Sequence, residues 1–480
     1  MIVYPEPPAD LSSRRPWRHL QYFGAGAIMA SVTIGSGETL FAAREGAIFG
    51  YTLLWCFIAG AVFKGVQVYS AMRYMTLTGE HPMTHWGRLP GPRNWVPLAT
   101  GVLCIVCFPF WLAGLPLLLG QTINWAFGVS GTEAELLLNA RIWATITIVA
   151  AVSVTWVQSY GALEKIQTGI VFLLLGCMLV AAVAARPDLH GILLGSVVPV
   201  VPSDYAPWVK EAYPLIAVRP PWVEVVAALG AIGGGTYDYL GYVSLLREKC
   251  WGAIGVNRDA PDGETESGGV GRTPNIDLST ENVRRARMWL RAPKIDAAVS
   301  FSSVALFTAC FVVLGAVILH PQKLVPSGDD LLSHQAQFLT NIFPWLRWVY
   351  VVGIFFAIGG TVYGAYEVYI RTSFECARPV SAGLRRAPIR VFRATILVYC
   401  AVGGMLLLWT LEDPIAIVTP VSIVGGVFTC GLWCFAMIWV DRRFLPKCLQ
   451  MRRGLTLLLV VSGAFLTAMG AKAIWDFLSR

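Results

Sequence analysis

The sequence predicts an all-α polytopic membrane protein, built as a five-plus-five inverted repeat followed by an eleventh transmembrane helix. Three observations predict it. First, 56% of the residues are hydrophobic and only 14% charged, with a mean hydropathy of +0.60, whereas a soluble protein carries about 25% charged residues. Second, apolar stretches recur at 20–48, 51–76, 95–125, 139–158, 161–184, 222–246, 294–319, 345–371, 392–411, 415–440 and 455–475, most of them longer than the ~20 residues that cross a hydrocarbon core. Third, glycine clusters interrupt the first and the sixth of these, five spans apart. An odd number of spans per unit inverts the second unit relative to the first.

The units follow in order. Residues 1–19 form an N-terminal tail, 20–184 the first repeat, 185–221 an outer loop, 222–440 the second repeat and 455–475 the added helix. The tail is polar and proline-rich and shows no apolar region ending in a small-residue cleavage site, so the first span is expected to act as the insertion signal. With the N-terminus inside, Arg14, Arg15, Arg18, Arg88, Arg93, Arg284, Arg285, Arg385, Arg442 and Arg453 all fall on the cytoplasmic side. That places the protein in the plasma membrane with a cytoplasmic N-terminus, and directs the net charge of +8 at anionic lipid rather than nucleic acid. Trp17, Trp95, Trp125, Trp222, Trp345 and Trp475 lie near span ends, as an aromatic belt requires.

The outer loop is proline-rich and reads either as a lid over the outer vestibule or as a connector. Within the second repeat, 250–283 is rich in Gly, Asp, Glu, Ser and Thr and reads as a disordered cytoplasmic insert. After it, 281–291 reads as a short basic amphipathic helix on the inner leaflet. Gly269 to Thr273 is not a phosphate loop, since the Gly-Lys-Ser/Thr ending is missing. Most of the eleven cysteines sit inside spans, and the Cys104/Cys107 pair offers too few ligands for a zinc site. No cofactor is expected, and no span carries a His-Glu-x-x-His motif or a Ser-His-Asp set, so the chain does not read as an enzyme.

The two interruptions are the candidate site. Gly35, Ser36, Gly37 and Glu38 break the first span, and Gly233, Gly234, Gly235 and Thr236 break the sixth. Each glycine costs a helix about 1 kcal/mol against alanine, and frayed backbone at membrane depth is tolerated only where it is enclosed or lines a cavity. Broken helices at matching places mark the central site of a secondary transporter. The expectation is that 35–38 and 233–237 are non-helical and approach each other near mid-membrane. Intramembrane charge is costly, so each such residue is a functional candidate. Glu38 reads as a cation ligand or as the cap of a second half-helix. Lys64 falls ~18 Å into its span and reads as a partner of Glu38, forming a gating charge pair, or as a snorkelling lysine. Asp238 reads as a cavity residue or a cap. Arg247 and Glu248 read as a structural pair, and Glu367 as lining the cytoplasmic exit or pairing with Arg371 at i+4.

The run GAGAIMASVTIGSGETLFAAREGAIFGYTLLW at 24–55 resembles the first helix of the Nramp family of divalent-metal transporters. The resemblance extends to GALEKIQTGIVFLLLG at 161–176, AALGAIGGGTYDYLGYVSLLREK at 227–249 and WLRAPKIDAAVSF at 289–301. It implies a LeuT-like fold and transport of a divalent cation at the crossing of the first and sixth spans. Aligning Gly-Ala-x-Phe-Gly-Tyr at 46–51 puts Gly35, Ser36, Gly37 and Glu38 where the family has Asp, Pro, Gly and Asn. The sixth-span glycines replace the family's Met-Pro-His-Asn, so no thioether is supplied. Carboxylate and carbonyl oxygens without sulfur suit Mg²⁺ or Mn²⁺. Residues 95–127 contain no Asp, Glu, Lys, Arg or His, unlike the family's third helix. The leading expectation is therefore a carrier of a hard divalent cation working by alternating access. A same-fold carrier of a small organic solute, or a sensor without transport, stands beside it.

Overall fold

The computed structural model describes all residues except Arg14, 158–159, 259–272, 328–329 and Arg480. Apart from a lone bridge between Ile2 and Ile276, the regular structure of the described residues is helical. Eight helices are long and apolar enough to cross a membrane. They cover the second, third, fourth and seventh to eleventh expected spans, beginning with Leu54–Thr78, Trp95–Ala126 and Glu133–Val157. Trp95–Ala126 is the most enclosed of the eight, at 72% buried, while Glu133–Val157 and Ile389–Thr410 are 22% and 28% buried. Composition alone does not separate these helices, because all eight are apolar over most of their length, whether lipid or other helices surround them. Packing decides which one lies at the centre.

The remaining expected spans are the first, fifth and sixth. The fifth, Tyr160–Ala184, bends by 119° between Phe172–Ala184 and the helix Leu189–Val197. That second helix lies against the start of the second span, where Tyr51 Oη accepts from the Asp188 amide at 3.3 Å and Trp55 Nε1 donates to Val200 O. Further along the outer loop, Tyr205, Val209 and Ile216 bury against Ile48 and Val325. The loop is thus packed onto the ends of the first and seventh spans.

The sixth span is broken at its glycines, but Thr236 and Tyr237, expected to be non-helical with them, already belong to the second half-helix, whose first turn Asp238 caps. Pro221–Ala231 ends, and Thr236–Lys249 begins, on either side of an extended turn. Gly233 and Gly234 sit at φ +76 and +87, in the left-handed region that costs any other L-residue roughly 1–2 kcal/mol. The first span departs from expectation. Ala25–Thr33, Ile34–Ala42 and Ala43–Phe49 follow one another without interruption, and the middle segment is a π-helix. Residues 35–38 are therefore helical and not unwound. The physical reason is that a π-helix widens the turn while keeping every backbone group in an i→i+5 ladder, so the glycines relax the helix without opening it. Thr39 Oγ1 reinforces that ladder by donating to Ile34 O at 2.8 Å.

The side of the bundle that carries the N-terminus is stitched by buried and half-buried ion pairs. Arg247 pairs with Glu375 at 2.8 Å and Glu248 with Arg371 at 3.0 Å, so Arg247 and Glu248 bind the eighth span and not each other. Glu367 takes Arg371 at i+4, as its spacing predicts, and Arg393 of the ninth span as well. Of the stretch expected to be disordered, 259–272 lie outside the described residues, but both ends are ordered. Ala253–Arg258 is helical, Ile276 bridges to Ile2, and Thr280–Trp289 is a helix capped by Ser279. That helix turns Asn282, Ala286 and Trp289 inward, and Trp289 Nε1 donates to Pro5 O, so one face holds the tail.

Candidate functional site

The first and sixth spans meet where the sequence places its two glycine clusters. Gly37 stands directly against the backbone of Ala231, the last residue of the sixth span's first half, and Gly35 against Ala357 and Thr361 of the eighth span. At Gly37 a Cβ would overlap the Ala231 carbonyl, so glycine is required there by the close approach of two backbones. Gly37→Ala is expected to cost about 1–3 kcal/mol of stability by overpacking, read by thermal unfolding in detergent. Unchanged stability would mean the two backbones are not in contact.

Around this crossing every predicted site residue finds a place, and several find a role other than the expected one. Glu38 is fully buried, and its Oε1 accepts from the Gly233 amide at 3.0 Å. Its Oε2 has no hydrogen-bond partner among the described residues. Lys64 is also fully buried, but it does not pair with Glu38. Its ammonium lies within hydrogen-bond distance of four carbonyls that share its three N–H donors, Leu229 at 2.8 Å, Gly230 at 3.1 Å, Ile232 at 2.7 Å and Gly234 at 2.9 Å. The charge pair expected from sequence depth is therefore replaced by a shared target. Glu38 holds an amide of the break and Lys64 holds its carbonyls. The reason lies in the half-helix: its last carbonyls have no intrahelical partner and form the negative end of a dipole that favours a cation.

Asp238 is a cap, with Oδ2 accepting from the Gly235 amide at 2.8 Å at the start of the second half-helix. The Ser36 hydroxyl is spent within its own helix, donating to Val32 O at 2.9 Å and Thr33 O at 3.0 Å. Thr236 Oγ1 lies 2.8 Å from Thr429 Oγ1 of the tenth span. Gly235 packs against Gly425 of that span, and Gly234 beneath Met29 and Thr33 of the first.

Three polar groups that hold these spans in place went unread in the sequence. Tyr239 donates its hydroxyl to Gly233 O at 2.8 Å and fixes the break. Asp296, inside the run 289–301, accepts from the amides of Gly24 and Gly26 at 3.0 Å each and from Tyr242 Oη at 2.9 Å, capping the first span from the seventh. Arg44 and Glu224 form a buried ion pair at 2.5 Å between the far ends of the first and sixth spans. Asp296 and Arg44 were legible only as isolated polar residues, because their partners lie more than 50 positions away in the chain, while Tyr239 reaches back only six residues, to a carbonyl that the break alone exposes. Among the described residues, no group of three or more His, Cys, Asp or Glu side chains is arranged to hold a metal. A cation at this crossing would have Glu38 as its charged ligand, with neutral oxygens for the rest.

The model of the Nramp family, natural resistance-associated macrophage protein-like, matches residues 26–476. Divalent metal cation transporters MntH of Yersinia pestis and Yersinia pseudotuberculosis are 26% identical over 229 residues, 46% of this chain and 53% of theirs. The chain thus spans about half the length of the curated relatives it matches. Among solved structures, a manganese transporter of Eremococcus coleocola in complex with an aromatic bis-isothiourea substituted compound superposes with a TM-score of 0.65 at 12% identity. That match covers 98% of this chain and 88% of the other. Mhp1, a nucleobase-cation-symport-1 family transporter, gives 0.51 at 13% identity, over 95% and 93%. At these identities the likeness concerns the fold, which is the LeuT-like inverted repeat expected from the sequence.

Proposed function

The chain belongs to the Nramp family, and from that premise we propose that it carries a hard divalent cation of the Mg²⁺ or Mn²⁺ type across the plasma membrane by alternating access. One observation carries the reading. Glu38 is buried at the crossing of the two candidate spans with one oxygen anchored on Gly233 and the other without a hydrogen-bond partner among the described residues. A buried polar atom left unsatisfied costs about 1–3 kcal/mol, more when charged, and a bound cation removes that cost. Oxygen-only donors favour hard ions. Lys64 would donate to an organic carboxylate at the site if its N–H groups were free, but backbone carbonyls already accept them, which supports the cation over the organic solute. The positive-φ glycines give the sixth span its hinge. The ion pairs Arg247–Glu375 and Glu248–Arg371 on one side, and Arg44–Glu224 on the other, are the contacts that opening would break in turn.

Uptake into proteoliposomes tests this, with Mn²⁺, Mg²⁺ and Ca²⁺ set against amino acids. Divalent uptake is expected, and Glu38→Gln should lower it about tenfold or more. The amide keeps an acceptor for Gly233 but loses the charge, a loss of roughly 1.5–3 kcal/mol in charge-assisted binding. Cd²⁺ should not greatly outcompete Mg²⁺, since no thioether softens the site. Uptake of an amino acid in place of every divalent ion, or full activity in Glu38→Gln, would refute the reading.

A further inference from the structure

Away from the crossing, a groove of about 1130 Å³ opens between the second and seventh spans and the start of the eleventh, Arg453–Leu478. It has two unlike ends. At the end nearest the N-terminal tail its wall carries Arg287, Arg291, Lys294, Lys447, Arg452 and Arg453. Arg73 is there too, but its guanidinium is taken by Asp441 at 2.6 Å and by Leu449 O. Among the described residues, no Asp or Glu lines the groove. Elsewhere on the same face the balance differs. Arg284 and Arg285 pair with Glu281 and Glu6, and the two guanidiniums hold Glu281 down at about 2. The basic residues turned toward the groove are thus the ones left without a carboxylate on its walls.

The other end is apolar. Ile58, Val62 and Val66 of the second span face Ala298, Phe301 and Ala305 of the seventh. Ile58 and Val62 are 39% and 49% exposed. From Arg73 to Ile58 the second span rises roughly 22 Å, more than half of the ~30 Å hydrocarbon core. A cluster of cations at the rim, opening into an apolar channel about 12 Å long, matches one kind of molecule. We propose that the groove is a binding site for an anionic phospholipid, its phosphate held by Lys294, Lys447 and Arg453 and an acyl chain lying along Val62, Val66 and Phe301. Basic pockets between transmembrane helices are suited to such headgroups. The inner leaflet, where the proposed orientation puts this rim, is the anionic one.

The site also touches the carrier's hinge. Phe301 lines the groove, and its ring lies within contact of the side-chain position at Gly233 and closer still to that at Gly65. An acyl chain in the groove therefore sits one aromatic ring away from the break that Lys64 and Glu38 hold.

Native mass spectrometry of the full chain in neutral detergent tests the site. The probes are dioleoyl phosphatidylglycerol, dioleoyl phosphatidylcholine and inorganic phosphate. Wild type should retain one phosphatidylglycerol and bind phosphatidylcholine about tenfold more weakly. Lys447→Gln with Arg453→Gln, both exposed residues, should weaken phosphatidylglycerol about tenfold or more and leave phosphatidylcholine unchanged. Arg386→Gln with Arg390→Gln, the same charge loss outside the groove, should change neither. Val62→Trp, which fills the apolar end, should weaken the lipid while sparing the basic rim. Equal binding of the two lipids would overturn the proposal. So would an effect of the control pair as large as that of the groove pair, or stabilisation by inorganic phosphate equal to that by lipid, which would make the rim a soluble-anion site.

Discussion

Lys64→Met is expected to destabilise the protein by about 3–5 kcal/mol, and Glu38→Gln is not expected to restore what it loses. The magnitude is that of removing one partner from a buried charged assembly. Here the partner left behind is a set of four carbonyls at the end of a half-helix, held at 2.7 to 3.1 Å from the ammonium. Methionine matches the length of the stem and supplies no donor, so those oxygens lose their partner in a place where water does not replace it. Glu38 is bonded to the opposite face of the same break, through the Gly233 amide, and Glu38→Gln keeps that acceptor without restoring a partner to the carbonyls that Lys64 leaves. Thermal unfolding of the two single variants and the double decides the matter. A double variant more stable than Lys64→Met alone would mean that the two charges pair directly, which is the arrangement that depth along the chain suggests and the geometry of the break replaces.

The second large effect lies at the far ends of the same two spans. Arg44→Met should cost about 3–5 kcal/mol for the same reason in reverse: it leaves Glu224 buried without its cation. Glu45, beside Arg44, has both carboxylate oxygens buried without a hydrogen-bond partner among the described residues, so removing the guanidinium leaves two carboxylates facing low dielectric. In this case the double-variant cycle should run the other way. Arg44→Met combined with Glu224→Gln should be more stable than Arg44→Met alone, because the partners are in direct contact at 2.5 Å and residues in one ion pair do not act additively. Additive losses would mean the pair is incidental. If the pair also closes the outer side, the double variant should take up cation faster at low concentration than its stability alone would suggest.

These two cycles show how far the sequence reaches into the site. Glycine at 233 and 234 forecasts the sixth-span break correctly, because positive φ is a local property and glycine adopts it at no steric cost. Glycine at 35 and 37 carries the same signal for a different cause. Those residues remain helical, and what they supply is absence of a side chain against Ala231, Ala357 and Thr361. Local propensity alone does not distinguish a glycine that bends its own chain from one that admits a neighbour's. Asp238 shows the same ambiguity resolved the other way: its place three residues after Gly235 fits a cap, and a cap is what it makes.

By itself the sequence determined the class, the order of most of the spans, the two glycine clusters that meet at the candidate site, and the charged residues Glu38 and Lys64 that lie buried beside them. All of these rest on hydrophobicity, glycine content and charge at membrane depth, quantities each residue carries wherever it folds. The tertiary structure decided the partnerships. Which carbonyls take the Lys64 ammonium, which acid meets Arg44, which aspartate caps the first span and which basic residues border the groove all depend on chain segments brought together from about 50 to nearly 400 positions apart. A hydrogen bond or an ion pair is set by distances of about 3 Å, and no single stretch of sequence contains both of its ends.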